Sequence, residues 1–220
     1  MNFIYFLIFS ILIFLSLLFG GKKFRSTALY ALAIGGVVNA NFFHAGNYPI
    51  DCFGLPFGID SIIYTLFVFC VIIMFFESGK RQAYLLSFSS IIAIMFSALM
   101  QLVSDLLSNG SSIYVWNSFL NFTISSVASV IAVVIMLEIL DKIKNKTNNY
   151  VLLVVGILIA TIIDTLIYYP LSMLIYGMPS NILILLLTSF IGKIIALLCA
   201  LLTLFLLKLY DKKHQKQEKL

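Results

Sequence analysis

The sequence predicts an all-α integral membrane protein: a polytopic bundle of about seven transmembrane helices, with the N-terminus outside and the C-terminus in the cytoplasm. Three observations support this. Of 220 residues, 62% are hydrophobic and 10% are charged, whereas soluble domains are roughly half apolar and about a quarter charged. The apolar residues form long runs, and about 20 such residues suffice to cross a bilayer. The basic residues stand in alternate breaks between the runs.

Short polar breaks delimit each predicted span in turn. A Gly-Gly-Lys-Lys cluster follows the first run, and a loop rich in Pro and Gly follows the second. The next breaks are Glu-Ser-Gly-Lys-Arg, Ser-Asn-Gly, a lysine-rich segment, Gly-Met-Pro and a basic tail. The spans belong to one transmembrane domain, residues 1–210, and residues 211–220 form a cytoplasmic tail. The predicted spans are residues 2–20, 27–45, 59–76, 83–107, 113–140, 150–176 and 181–207.

The distribution of Lys and Arg predicts the orientation. Basic residues follow the first, third, fifth and seventh runs, and the alternate loops contain neither residue type. Because cytoplasmic loops carry the excess of Lys and Arg, these breaks are expected on the cytoplasmic side of the plasma membrane. The first run has its basic cluster after the apolar core, so we expect it to be retained rather than cleaved as a signal peptide.

Several function classes lack support in the sequence. The net charge of +5 is explained by topology signals that face anionic lipid, so no nucleic-acid partner is expected. The three cysteines have no paired spacing, and no motif for phosphate binding, zinc hydrolysis or a serine nucleophile is present. We therefore predict neither an enzyme nor a bound metal or cofactor.

Polar side chains inside the apolar runs are the candidate functional residues, because such groups are expensive in hydrocarbon and usually face a bundle interior or cavity. Serines at helical spacing are more simply explained by helix packing. Asp164 and Lys193 lie almost equally far from the Gly-Met-Pro turn, so neighbouring antiparallel helices would bring them within pairing distance near the bilayer midplane. We predict a polar cavity above this pair, with Asn41, Gln101 and Asn121 toward the outside.

A small-solute transporter fits these residues best. Asn and Gln side chains both donate and accept hydrogen bonds, which suits a neutral, planar ligand such as a nucleobase or vitamin. A purely structural salt bridge is the main alternative for Asp164 and Lys193. The chain could act as a homo-oligomer, a point that the sequence leaves open.

Two segments also resemble a known family, the queuosine precursor transporters, formerly called vitamin uptake transporter-like proteins. Residues 161–169, with Asp164 and Thr165, resemble the family's Asp-Thr-aromatic helix. Residues 188–196, with Lys193, are similar to its final Lys-bearing helix, and Asn41 is similar to its early Asn. The likeness covers roughly residues 35–210. It implies uptake of a 7-deazaguanine precursor in a bacterium, with Asn41, Asp164, Thr165 and Lys193 at family positions. Together with Gln101 and Asn121 from the polar-residue argument above, these are the predicted substrate-binding residues.

The chain departs from the family pattern at two places. The family's acidic residue late in the third helix is absent around Cys70, and Asn121 stands near the position of its Arg. Two other functions therefore stay open. The chain could be the substrate-binding subunit of an energy-coupling vitamin importer that borrows an external ATPase, or a membrane assembly or sensor protein without transport.

Overall fold

The computed structural model describes residues 26–36, 38, 49–52, 55–109, 113–177, 184, 186–198, 201–202 and 205. The predicted first span, the C-terminal tail and Asn41 lie outside these residues. In the described part, six helices and one hairpin follow each other along the chain. They are α1 (Ser26–Gly36), β1 (Pro49–Cys52), β2 (Leu55–Gly58), α2 (Ile59–Ser78), α3 (Lys80–Asn109), α4 (Ile113–Ile143), α5 (Asn149–Tyr176) and α6 (Leu186–Leu198).

The predicted helical fold is confirmed in its coarse form. Three segments are long and apolar enough to cross a membrane, namely Lys80–Ser108, Phe119–Ile143 and Asn149–Ile175. The apolar segments Ser26–Gly36, Ile63–Ser78 and Leu186–Leu198 are shorter. The count of seven spans and the orientation of the termini remain predictions.

One short element accompanies the helices. Residues predicted as an irregular loop form the antiparallel hairpin β1–β2, in which Pro49 pairs with Gly58 and Cys52 pairs with Leu55. In the sequence, two residues, one of them Gly, separate the strands, and short segments of this kind favour hairpins. The periodicity of the apolar runs could not reveal a ladder this short.

Helix ends extend beyond the predicted apolar runs, because polar residues continue the helical turns. Gly79 separates α2 from α3 with a positive φ of 84°, a conformation that glycine adopts without steric cost. At the start of α5 the Asn148 side chain accepts a hydrogen bond from the Tyr150 backbone N–H, which caps the helix.

Helix α2 is the centre of the bundle. Every residue from Leu66 to Phe75 is 5% exposed or less, so the helix is covered on all sides. It packs against α3 and α5, and α4 packs in turn against α3 and α5. A helix that is apolar all round is expected to be buried in this way.

Helix α3, in contrast, has two different faces. Its buried face includes Leu86, Ser90 and Ile94. The opposite face exposes large apolar side chains at helical spacing, as expected for contact with lipid tails. These exposed residues are Leu85, Phe88, Ile92, Phe96, Leu99, Val103 and Leu107.

Charged residues join α3 to α4 at the end of the bundle where α3 begins, which we call the Lys80 end. Lys80 Nζ lies 2.8 Å from Glu138 Oε1, and the Tyr84 hydroxyl donates to the same oxygen at 2.6 Å. Lys144 pairs with Asp141 at 2.7 Å. The Tyr84–Glu138 contact also fixes the register of the two antiparallel helices. The opposite end of the bundle, where α3 ends and α4 begins, we call the α3–α4 end.

Candidate functional site

A buried acid–base pair lies halfway along α5. Asp164 is fifteen residues after Asn149, about 22 Å along the helix, and twelve residues before Tyr176. Lys193 on α6 places its Nζ 3.2 Å from Asp164 Oδ2. The Asp164 side chain is 13% exposed and the Lys193 side chain is 7% exposed. The pairing predicted from the sequence is therefore present in the structure, whereas a role in substrate binding stays a prediction.

Other helices supply partners to both members of the pair. Ser129 on α4 donates its hydroxyl hydrogen bond to Asp164 Oδ1 at 3.2 Å, so each carboxylate oxygen has a donor. Lys193 Nζ also donates to Thr165 Oγ1 at 3.4 Å and lies 5.0 Å from the centre of the Tyr64 ring on α2. Four helices thus meet around one neutral pair of opposite charges.

Tyr64 is held in place by its own hydrogen bond. Its hydroxyl donates to the backbone oxygen of Ala160 at 3.1 Å, one turn before Asp164 on α5. The ring therefore presents its negative face to the Lys193 ammonium group, a favourable cation–π arrangement. Tyr64 and Ser129 are absent from the predicted site. The serine does share its helical stripe with Asn121, but sequence reasoning attributed that stripe to packing.

The predicted amide residues occupy other levels of the bundle. Asn121 accepts a hydrogen bond through Oδ1 from the Tyr168 hydroxyl at 3.0 Å, which links α4 to α5. Tyr168 is one turn beyond Asp164, on the side of the α3–α4 end. Gln101 lies on α3, and its Oε1 atom is buried without a hydrogen-bond partner in the described part of the chain. The structure thus places Thr165 at the pair and Asn121 and Gln101 apart from it.

Like Gln101 Oε1, two buried hydroxyl oxygens lack a hydrogen-bond partner in the described part of the chain. Ser97 Oγ on α3 and Thr161 Oγ1 on α5 have no hydrogen-bond partner among the described residues, and their side chains are 8% and 3% exposed. A buried polar group without a partner costs about 1–3 kcal/mol. In native proteins such groups usually meet ordered water or a ligand.

Chemically, the site offers hydrogen-bond donors and acceptors beside one carboxylate and one ammonium group. Among the described residues, no group of three or more His, Cys, Asp or Glu side chains comes together to hold a metal ion. The carboxylate, the ammonium group and the nearby hydroxyls can exchange their mutual contacts for contacts with a polar solute. No family model, curated protein or solved structure matches this chain. The geometry of the chain itself therefore carries the functional argument.

Proposed function

We propose that this chain is a membrane transporter that takes up a small polar heterocycle, with its binding site at the Asp164–Lys193 pair. The single observation that carries this proposal is a buried carboxylate and ammonium group 3.2 Å apart, midway along a helix long enough to span a membrane. Ionisable residues at such a depth are rare and usually mark a substrate or ion pathway.

The pair suits a carrier for an energetic reason. Removing two charges from water is expensive, and apolar side chains of similar volume would stabilise the bundle as well or better. Without solute, Asp164 and Lys193 neutralise each other. A heterocycle with hydrogen-bond donors and acceptors can bind beside the carboxylate and the ammonium group while the two charges stay close enough to neutralise each other.

For the substrate, we propose a 7-deazaguanine precursor of queuosine as the first candidate. This choice rests on the resemblance of residues 161–169 and 188–196 to the precursor transporters. It also agrees with the local chemistry, since Thr165 and Ser129 at the pair, and Asn121 at the level of Tyr168, can donate and accept hydrogen bonds at the edges of a flat base. Tyr64 and Tyr168 add aromatic faces on which a base could stack.

A genetic rescue tests the proposal. In a bacterium unable to make or import the precursor, expression of this chain with low external precursor should restore queuosine in transfer RNA. Asp164→Asn and Lys193→Met should each abolish the rescue, whereas Lys146→Met, which removes an exposed lysine, should not. Absence of rescue by the parent chain, at confirmed membrane expression, would contradict the substrate assignment.

Purified protein separates the remaining alternatives. The parent chain alone in proteoliposomes should accumulate labelled precursor. Uptake only after addition of an ATPase module would instead indicate a binding subunit of an energy-coupling importer. If Asp164→Asn alters unfolding but leaves uptake at the parental level, the pair is purely structural.

A further inference from the structure

The hydroxyl of Ser97 lacks the local hydrogen bond that several serines and threonines of α3 and α4 make to their own helix. Serines and threonines on α3 and α4 usually donate to the carbonyl oxygen four residues earlier, a local bond that satisfies the buried hydroxyl. Ser97 makes no such bond, although its side chain is 8% exposed. The residues that do make it are Ser87, Ser90, Ser108, Thr123 and Ser126, at distances of 2.7 to 3.0 Å.

Gln101 repeats the pattern one helical turn later. Its Oε1 is buried and has no partner in the described part of the chain. Ser97 and Gln101 are four residues apart and continue the buried face of α3 that begins with Ser90 and Ile94. Two adjacent positions on an inward face thus leave buried polar atoms unpaired, whereas the neighbouring Phe96 lies on the lipid-facing side and is 64% exposed.

The register of the helices gives the depth of these atoms relative to the ion pair. Counting from the Tyr84–Glu138 contact, Ser129 on α4 is level with Ala93 on α3. Because Ser129 donates to Asp164, that level is also the level of the pair. At about 1.5 Å per residue, Ser97 lies about 6 Å and Gln101 about 12 Å from it, both toward the α3–α4 end.

The same counting places Gln101 level with Asn121 on α4. Asn121 accepts from Tyr168 on α5, so three helices present polar side chains at this depth. The unpaired atoms of α3 therefore belong to a polar level of the bundle and not to an isolated defect in an apolar contact.

We propose that Ser97 and Gln101 form a second tier of the solute site and bind the donor-bearing edge of the heterocycle. An amide oxygen only accepts hydrogen bonds, so the Gln101 Oε1 atom requires an N–H or O–H group on the solute. The Ser97 hydroxyl can donate to an adjacent acceptor. The solute class is thus a neutral base with neighbouring donor and acceptor atoms. This inference rests on the proposed function.

Thiol labelling tests the position of the tier without knowledge of the substrate. In a variant whose own cysteines are replaced by alanine, Ser97→Cys and Gln101→Cys should react with a charged, membrane-impermeant methanethiosulfonate reagent from one side of the membrane. Ser90→Cys, on the same face, and Phe96→Cys, at the same depth on the lipid side, should not react from that side. The replaced residues are Cys52, Cys70 and Cys199.

If neither Ser97→Cys nor Gln101→Cys is labelled from either side, the second tier is overturned. Uptake of precursor by the parent chain would leave the proposed function intact in that case. Conversely, labelling of both positions supports a water-accessible tier. If both are labelled and the parent chain does not transport the precursor, only the substrate assignment is wrong.

Binding measurements test the recognition itself. With 7-cyano-7-deazaguanine as the probe, Ser97→Ala and Gln101→Leu should each weaken binding about fivefold, since one net hydrogen bond is worth about 1 kcal/mol. Ser90→Ala should bind like the parent. In the absence of probe, Ser97→Ala should unfold at the same temperature as the parent or a higher one, because it removes an unpaired group. Parental affinity in both Ser97→Ala and Gln101→Leu would overturn the inference.

Discussion

Breaking the Asp164–Lys193 pair from either side should destabilise the bundle, and replacing both residues should not. Removing one partner of a buried ion pair typically costs about 3–5 kcal/mol, since it leaves a buried charge without compensation. Exposures of 13% and 7% place this pair in that class and exclude the weaker behaviour of surface salt bridges. Replacing both by neutral side chains of similar volume is often close to neutral.

The two single variants should differ in their residual contacts. After Asp164→Asn, the Lys193 ammonium group keeps Thr165 Oγ1 and the Tyr64 ring, the latter worth about 0.5–2 kcal/mol. After Lys193→Met, the Asp164 carboxylate keeps the hydrogen bond from Ser129. We therefore expect both single variants to lose about 3 kcal/mol or more, with the double variant within about 1 kcal/mol of the parent.

Reversible unfolding in mixed detergent micelles measures this double-mutant cycle. The four proteins are the parent, Asp164→Asn, Lys193→Met and the variant with both substitutions. A coupling energy of at least about 2 kcal/mol would support a pair that acts as a unit. Additive losses, with a double variant as unstable as the sum of the single ones, would refute the reasoning. A stable double variant that fails to take up precursor would additionally separate the role of the pair in transport from its role in folding.

Substitutions at Gly156, Tyr84 and Tyr64 test contacts between the helices. Gly156→Ala would place a methyl group 2.7 Å from Ile72 Cδ1, so it should lower the free energy of unfolding by about 1–3 kcal/mol. Ile72→Val removes that atom, so adding it should restore part of the lost stability in an unfolding measurement. Tyr84→Phe should change stability by less than about 1 kcal/mol, because its hydrogen bond to Glu138 is exposed; a larger loss would contradict this. Tyr64→Phe should lose about 1 kcal/mol by removing the bond to the Ala160 oxygen, whereas Tyr64→Leu should lose more because it also removes the ring from Lys193.

The sequence predicts the long helices and the ion pair well, for one physical reason. A membrane restricts each apolar run to a helix of known rise, so counting from the turn near Gly177 is enough to bring Asp164 and Lys193 to one depth. The hairpin at Pro49–Gly58 lies between two apolar runs, where the chain is not restricted to a helix. The apolar pattern therefore does not predict it.

Side-chain direction is the part that the sequence does not reveal. Ser90 and Ser97 are the same residue type on the same face of α3, yet one bonds to its own helix and the other does not. The difference depends on rotamer and on neighbours from other helices, which have no local signal. For the same reason the bond between Tyr168 and Asn121 and the position of the Tyr64 ring require the three-dimensional structure.

The complete enclosure of α2 has a consequence for the order in which the protein assembles. Helix α5, which covers one side of α2 at Ile72 and Gly156, is synthesised about 70 residues after α2 ends, so lipid must occupy that side in the meantime. Because acyl chains are as apolar as leucine, exchanging them for α5 yields almost no hydrophobic gain. Closure of the bundle must then draw its free energy from close packing, as at Gly156, and from polar contacts between helices, such as the hydrogen bond between Tyr64 and the Ala160 carbonyl.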